Sequence, residues 1–232
     1  MKTKFGVFLL CGLMLLSSCE TVQNASNKAK IGTIGGGGGA ALGAIIGAIA
    51  GKGKGAAIGA AVGAVVGGGA GVLIGNKMDK AKKAAEMANA QAEVITDAET
   101  NLTYVKVTFP SGLLFATGQD ELSQQAKTDL ATFAQNLDAD MDLYIYGYTD
   151  NQPWRGVSAE ESVKKNQALS QQRAAAVSNF MAANGLKYTQ LKDVVGRGED
   201  TTQATLEANR RVEVFVMPSE QMINNAKAQA GE

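Results

Sequence analysis

The sequence predicts an α+β domain in the C-terminal half of the chain, with a mixed sheet of about four strands and helices on one face. Two observations indicate this fold class. Short apolar runs alternate with a period of two, as in strands, and the longer segments between them repeat apolar residues every three or four positions, as in helices. A third observation concerns the segment that precedes this domain. Glycine recurs there at every fourth residue, which predicts a separate helical segment.

The predicted elements of the domain follow one another at short intervals. Strands are predicted at 104–109, continued by 113–115 after a turn at 110–112, and at 143–148, 194–196 and 211–216. Leu122, Ala126, Leu130 and Phe133 share one helical face, and a second helix should run from Ser158 or Ser162 to a stop at Asn184-Gly185. Two helices of this size can cover one face of the sheet.

The N-terminus has the pattern of an export signal. Basic residues precede an apolar core within residues 1–18, which is short for a membrane span. The sequence Leu16-Ser17-Ser18-Cys19 resembles a bacterial lipobox, and this resemblance implies cleavage before Cys19 and lipidation of that cysteine. Residues 19–30 would then form a lipidated tether, and Glu20 favours the outer membrane over the inner one. The alternative is an ordinary secretory signal with a chance cysteine.

Residues 31–75 consist almost entirely of Gly, Ala, Ile, Val and Leu, with glycine at every fourth position from Gly35 to Gly75. A four-residue step returns to nearly the same helical face, and a glycine face permits close packing of membrane helices. Lys52-Gly53-Lys54 divides the segment into halves of about 30 Å as helices, so we expect a transmembrane hairpin with the lysines at its tip. The pattern resembles the glycine zippers of bacterial envelope proteins. Self-association through the glycine face and a flexible linker are the alternatives.

A helical connector is predicted over 76–100, because the segment is rich in Ala, Lys, Glu, Gln and Met. As a continuous helix it would reach about 36 Å and act as a spacer. Its lysines at 77, 80, 82 and 83 are positioned to meet anionic lipid headgroups. The domain itself is assigned to 101–218, and residues 219–232 are assigned to a C-terminal tail.

Composition excludes several classes of function. The chain has 22 basic and 22 acidic residues, a balance that argues against nucleic-acid binding. It has no histidine, so a Ser-His or Cys-His catalytic pair is impossible and the commonest zinc ligand is missing. A wall hydrolase would need paired catalytic carboxylates or a metal site, and neither motif is present. We therefore expect a non-enzymatic protein without a metal or cofactor.

Four motifs occur in order within the domain. The first, at 115–122, combines a phenylalanine, a glycine and a helix-starting leucine. The second, Gly147-Tyr148-Thr149-Asp150, is close to G-H-T-D. The third, at 166–174, fits N-x-x-L-S-x-x-R-A, and the fourth, at 209–213, fits N-R-R-V-E. From about 107 to 217 the chain therefore resembles the OmpA-like peptidoglycan-binding domain. The departures are Tyr148 in place of histidine, a long loop at 152–165, and no Gly-Arg before Asn209.

The resemblance implies a binding site for the diaminopimelate of uncrosslinked stem peptides. Asp150 would hold an ammonium of this amino acid and Arg173 a carboxylate, an arrangement suited to a zwitterion. Taken singly, Asp150 is better explained as a strand-end cap and Arg173 as part of a solvated helix face, and it is their pairing within the motifs that favours binding. The supporting residues implied by the resemblance are Thr149, Asn151, Asn166, Leu169 and Arg210.

These expectations combine into one leading function and one alternative. The leading function is an outer-membrane lipoprotein whose periplasmic domain binds peptidoglycan non-covalently and tethers the membrane to the wall. The alternative gives the glycine ladder the main role, as a homo-oligomeric pore or stator-like assembly in the lipid bilayer that uses the domain as a wall clamp.

Overall fold

A computed structural model describes residues 68–96 and 102–231 of the 232-residue chain. The predicted signal peptide at 1–18, with Cys19, the tether to residue 30 and residues 31–67 of the predicted hairpin lie outside the described residues. Within the described residues, no helix combines the length and the apolar character needed to cross a bilayer.

The described chain folds around one mixed sheet. Its strands are β1 (Gln91–Thr96), β2 (Thr103–Pro110), β3 (Met141–Thr149), β4 (Leu191–Glu199) and β5 (Arg211–Pro218), in the order β1-β2-β5-β3-β4. Only β3 and β4 are parallel, and the other neighbours are antiparallel. The α+β class is confirmed, with five strands in place of the expected four.

Six helices accompany the sheet in the described residues. They are α1 (Gly69–Met87), α2 (Ser111–Leu114), α3 (Gln124–Asn136), α4 (Ala159–Ala183), α5 (Leu206–Asn209) and α6 (Glu220–Ala230). Buried residues of α1, α3, α4 and α6 join one apolar cluster with the inward side chains of the strands, such as Val105, Ile145 and Val214. The expectation of helices on one face is therefore confirmed. The opposite face carries a separate aromatic cluster centred on Phe215 and Tyr146.

The prediction of a continuous helical connector over 76–100 is wrong. The helix α1 begins at Gly69, inside the predicted hairpin, and ends at Met87, and Asn89 adopts a positive φ of 53° before β1 begins. The β1 strand pairs with β2 from Gln91↔Thr108 to Thr96↔Thr103. The register places Val94 beside Val105 and completes the sheet edge, so pairing outweighs the local helix preference of this segment.

The alanine repeat of α1 is a packing face. Ala81, Ala84, Ala85 and Ala88 are all buried in the core of the domain. Two lysines of α1 also bind the domain instead of being free for lipid headgroups, because Lys77 Nζ lies 2.5 Å from Asp140 and Lys80 Nζ lies 2.6 Å from Asp138. The segment predicted as a spacer is therefore part of the folded unit.

Three further boundaries differ from the prediction. The expected strand at 113–115 is replaced by the short helix α2, and Phe115 makes an isolated bridge to Leu122. The expected C-terminal tail forms α6, whose Met222 and Ile223 are buried. The third predicted strand, 194–196, extends to nine residues because its parallel pairing with β3 covers nearly its whole length.

Candidate functional site

The candidate site lies where the C-terminal end of β3 meets α4 and the loop that follows α2. Close contact between β3 and α4 depends on glycine, because a Cβ on Gly147 would overlap the carbonyl oxygen of Ser170. A Cβ on Gly196 in β4 would likewise overlap the backbone nitrogen of Gln171. The two glycines therefore let the backbone of α4 lie directly on the sheet and set the position of Arg173 one turn further along.

The motif at 166–174 places one face of α4 against the domain. Asn166, Leu169, Ser170, Arg173 and Ala174 are all buried. Their spacing of three and four residues brings them onto the same side of the helix. Ser170 is a packing and bonding residue, since its hydroxyl donates to the Gln167 carbonyl oxygen and accepts from the Gly198 backbone N–H at 2.9 Å.

Arg173 is a buried cation that forms no direct ion pair within the described residues. Only 3 % of its surface is exposed. Its Nε donates to the Gln119 carbonyl oxygen at 3.0 Å, its Nη2 donates to the Ala116 carbonyl oxygen at 3.4 Å, and the guanidinium lies 5.1 Å from the centre of the Phe115 ring. Within residues 68–96 and 102–231 no carboxylate forms an ion pair with it. Burial lowers the pKa of Arg173, and the positive charge of Arg210 lowers it further.

Asp150 follows the last residue of β3 and is also buried, with 7 % of its surface exposed. Its Oδ2 accepts from Nη1 of Arg210, and its Oδ1 accepts from the backbone N–H of Gln152 at 3.2 Å. Arg210 also donates to Glu207 at 2.9 Å. Burial alone would lower the pKa of Arg210, but its hydrogen bonds to Asp150 and Glu207 raise it.

The structure brings the two predicted charges into one electrostatic neighbourhood. The charges of Arg210, Asp150 and Asp120 all act on Arg173, which therefore lies near two carboxylates and a second cation. The site therefore combines Asp150 with two guanidiniums, and of these two cations only Arg210 forms an ion pair within the described residues. This arrangement can accept an additional anionic group at Arg173.

The remaining predicted residues fall into distinct positions. Thr149 is buried and its hydroxyl has no hydrogen-bond partner in the described part of the chain, while Asn151 is exposed. Leu169 contributes apolar surface from α4. The side chain of Asn166 is occupied internally: it donates to Glu199 at 2.8 Å and accepts from the Trp154 indole N–H at 2.7 Å.

Sequence reasoning did not assign a role to two groups near the site. Glu207 binds Arg210 from the short helix α5, and no sequence signal distinguishes it from other surface glutamates. From the sequence, Trp154 is only a part of the long 152–165 loop, interpreted as a lid or a second contact surface, and the signal that could have singled it out is that it is the one tryptophan in the sequence. Its contacts place it beside both Asn166 and Gly118.

Comparisons with known proteins agree with this fold. The sequence model of the OmpA family matches residues 114–213, and the model described as YMGG-like Gly-zipper matches residues 1–79. The comparison with curated proteins returned no match.

Several solved structures are similar to this chain. A putative MotB-like protein from Desulfovibrio vulgaris is 24% identical, with a TM-score of 0.49 and coverage of 65% of this chain and 96% of the other. The cell wall anchor of the T6SS from Pseudomonas aeruginosa is 21% identical, with a TM-score of 0.46 and coverage of 63% and 97%. The peptidoglycan-associated lipoprotein from Burkholderia pseudomallei is 25% identical, with a TM-score of 0.36 and coverage of 45% and 88%.

Proposed function

Because residues 114–213 form an OmpA-family domain and residues 1–79 match a YMGG-like glycine zipper, we propose that this protein binds peptidoglycan and tethers the outer membrane to it. The observation that carries the proposal is the state of Arg173. A buried guanidinium without a carboxylate partner is costly, and an incoming carboxylate would offset that cost with charge-assisted hydrogen bonds.

The ligand that fits is a zwitterion with separated charges, and we propose the diaminopimelate of an uncrosslinked stem peptide. Its carboxylate binds Arg173 and its ammonium binds Asp150, where it shares the carboxylate with Arg210 or displaces it. A free ammonium is essential to this pairing, because acylation in a crosslink removes its charge. Such recognition requires no chemical step, which agrees with a non-catalytic protein.

The supporting residues have different roles in the proposed complex. The buried hydroxyl of Thr149 is available to hydrogen-bond the ligand, and Asn151 offers an exposed amide at the entrance. Leu169 provides an apolar floor, and Asn166 acts through the loop that it holds. Arg210 holds the Asp150 carboxylate through an ion pair.

We further propose that the other end of the protein is held in the outer membrane by lipid on Cys19, with the domain in the periplasm. Several acyl chains, each contributing about 0.8 kcal/mol per buried methylene, form a stable anchor. Modest affinity at each wall site is then sufficient, because anchored domains bind a dense array of stem peptides together.

Sedimentation of the full chain with purified sacculi tests the proposal. Asp150→Ala and Arg173→Ala should each weaken wall binding about tenfold or more, since each leaves a buried ligand charge unpaired. Glu160→Ala is the matched control, because it removes an exposed carboxylate whose one ion pair in the described part of the chain is with Lys164 on the same helix.

The control should sediment like the wild type. If both site variants also sediment like the wild type, the proposed site is wrong. If the wild type itself stays in solution, the proposed function is wrong.

A further inference from the structure

The side chain of Trp154 is held in one orientation by α4. Its backbone N–H donates to the hydroxyl of Ser162 at 2.8 Å, and its indole N–H donates to Oδ1 of Asn166 at 2.7 Å. Both partners are buried, whereas Trp154 itself is half-buried. The indole is therefore fixed at one edge, the ammonium of Lys165 lies 5.5 Å from its ring centre, and part of its surface remains exposed.

The opposite edge of the indole faces the loop that holds Arg173. Cη2 lies 3.6 Å and Cζ3 lies 3.9 Å from the position that a Cβ on Gly118 would occupy. Gly118 has a φ of +69° and lies between Ala116 and Gln119, whose carbonyl oxygens accept hydrogen bonds from Arg173. The ring thus extends from α4 to the segment that positions the buried cation.

Trp154 is also connected to the segment that carries the anion. Asn166 donates to the carbonyl oxygen of Gln152 at 3.4 Å, and the backbone N–H of Gln152 donates to Asp150. One amide side chain therefore fixes both the indole and the backbone next to Asp150. The indole therefore contacts the loop whose carbonyl oxygens hold Arg173 and is linked through Asn166 to the segment that carries Asp150.

We infer that Trp154 forms an apolar wall of this site and contacts the methylene chain of a diamino dicarboxylic acid whose ends bind Asp150 and Arg173. This inference rests on the proposed function and adds a specificity-determining residue to it. A ligand with two separated charges has an apolar middle, and a rigid aromatic surface is suited to cover it. Exclusion of water by the ring also strengthens the ion pairs at both ends.

The ring reports on its own contact with the ligand, because Trp154 is the only tryptophan in the chain. The experiment titrates the full chain with a soluble, uncrosslinked muropeptide that carries a diaminopimelate-containing tripeptide stem. Isothermal calorimetry measures binding in parallel. We expect a shift of the tryptophan emission and a loss of acrylamide quenching at saturation, and neither change in Arg173→Ala.

Two substitutions of Trp154 distinguish a residue that contacts the ligand from a residue that only maintains the fold. Trp154→Ala should raise the Kd for the muropeptide about tenfold, mainly through faster dissociation, as expected for removal of a buried aromatic contact. Trp154→Phe keeps an aromatic surface but loses the N–H bond to Asn166, and should recover most of the affinity. Arg155→Ala, which alters the exposed neighbour, should bind like the wild type. Thermal unfolding monitored by circular dichroism verifies that each variant is folded.

The outcomes distinguish this inference from the function on which it rests. If the muropeptide binds without any change in tryptophan emission or quenching, the inference that Trp154 contacts the ligand is wrong and the proposed function stands. The same conclusion follows if folded Trp154→Ala binds with wild-type affinity and dissociation rate. Absence of muropeptide binding to the wild type rejects both.

Discussion

Arg210 and Arg211 are neighbours in sequence but belong to two different regions of the molecule. Arg210 lies in the candidate site, partly exposed, and pairs with Asp150 and Glu207. Arg211 begins β5 and is buried on the aromatic face of the sheet, where it pairs with Glu213 at 2.8 Å and Asp200 at 2.6 Å. Its guanidinium also lies 4.1 Å from the centre of the Tyr148 ring.

The difference shows how one short motif serves two purposes. Burial alone would lower the pKa of Arg211, but the charge of Glu213 raises it, and Glu213 is 1 % exposed. The Arg211 pair is thus enclosed and structural. The Arg210 pair is open to solvent on one side, where a ligand can compete for Asp150. Identical side chains acquire separate roles because successive residues of an extended chain point to opposite sides.

The largest expected effect is on stability. Arg211→Ala should lower the free energy of unfolding by about 3 kcal/mol, because it removes two ion pairs of a buried guanidinium and leaves buried Glu213 with Lys106 as its remaining ionic partner. Arg210→Ala should lower it by about 1 kcal/mol, the range of a partly exposed pair. Urea unfolding of the two variants measures both values. Equal losses of unfolding free energy in the two variants would show that the ion pairs of Arg210 and Arg211 contribute equally to stability.

A smaller effect is expected from Tyr148→His, which restores the usual residue of the G-H-T-D motif. The Tyr148 ring stacks on Arg211 rather than on the candidate site, so the change should cost about 1 kcal/mol of unfolding free energy through the lost stacking. Binding to sacculi should stay within about twofold of the wild type, since no ligand contact is removed. A larger loss of binding at unchanged stability would place Tyr148 in the site.

The smallest expected effect is a pH dependence of the unfolding free energy that arises from the ion pair between Asp200 and Arg211. Burial alone would raise the pKa of Asp200, but hydrogen bonds from Thr202 and Arg211 outweigh burial and leave the pKa below its usual value. A depressed pKa in the folded state contributes stability above the unfolded value of about 3.9, and this contribution is lost as the pH falls through the folded value.

We therefore expect the unfolding free energy of Asp200→Asn to decline less steeply than that of the wild type below about pH 4. Urea unfolding at a series of acidic pH values compares the two slopes. Indistinguishable slopes would mean that the ionised form of Asp200 adds nothing to the Arg211 pair.

Strong periodic patterns allowed most of the domain to be predicted. The alternation at 143–148 and 211–216 and the caps of α4 at Ser158 and Asn184 correspond to observed elements. The strand β1 was missed because Gln91-Ala92-Glu93 is locally suited to a helix, and its conformation is decided by pairing with β2, a partner elsewhere in the chain. The packing of α1 against the domain was missed for a related reason. A stripe of alanines indicates a helix face that permits close packing, but it does not identify the element that packs against it.

The candidate site was predictable only in part. The motifs located Asp150 and Arg173, but their environments arise from contacts between residues far apart in sequence. Asp150 meets Arg210 across 60 positions, and Arg173 is held by backbone carbonyl oxygens across 54 and 57 positions. Backbone acceptors are not encoded by residue type, so no sequence pattern could have indicated that carbonyl oxygens, and no direct ion pair within the described residues, hold Arg173.

The packing of α1 has a mechanical consequence. Gly69 lies against Ala230 of α6, with a Cβ at Gly69 only 3.1 Å from that of Ala230, and Lys77 is ion-paired to Asp140 further along the helix. A pull on the chain before Gly69 would load these side-by-side contacts in shear, across the buried alanine face, before it reached the sheet. If the proposed tether between membrane and wall comes under tension, the contacts of α1 with the rest of the domain are therefore the first to carry the load.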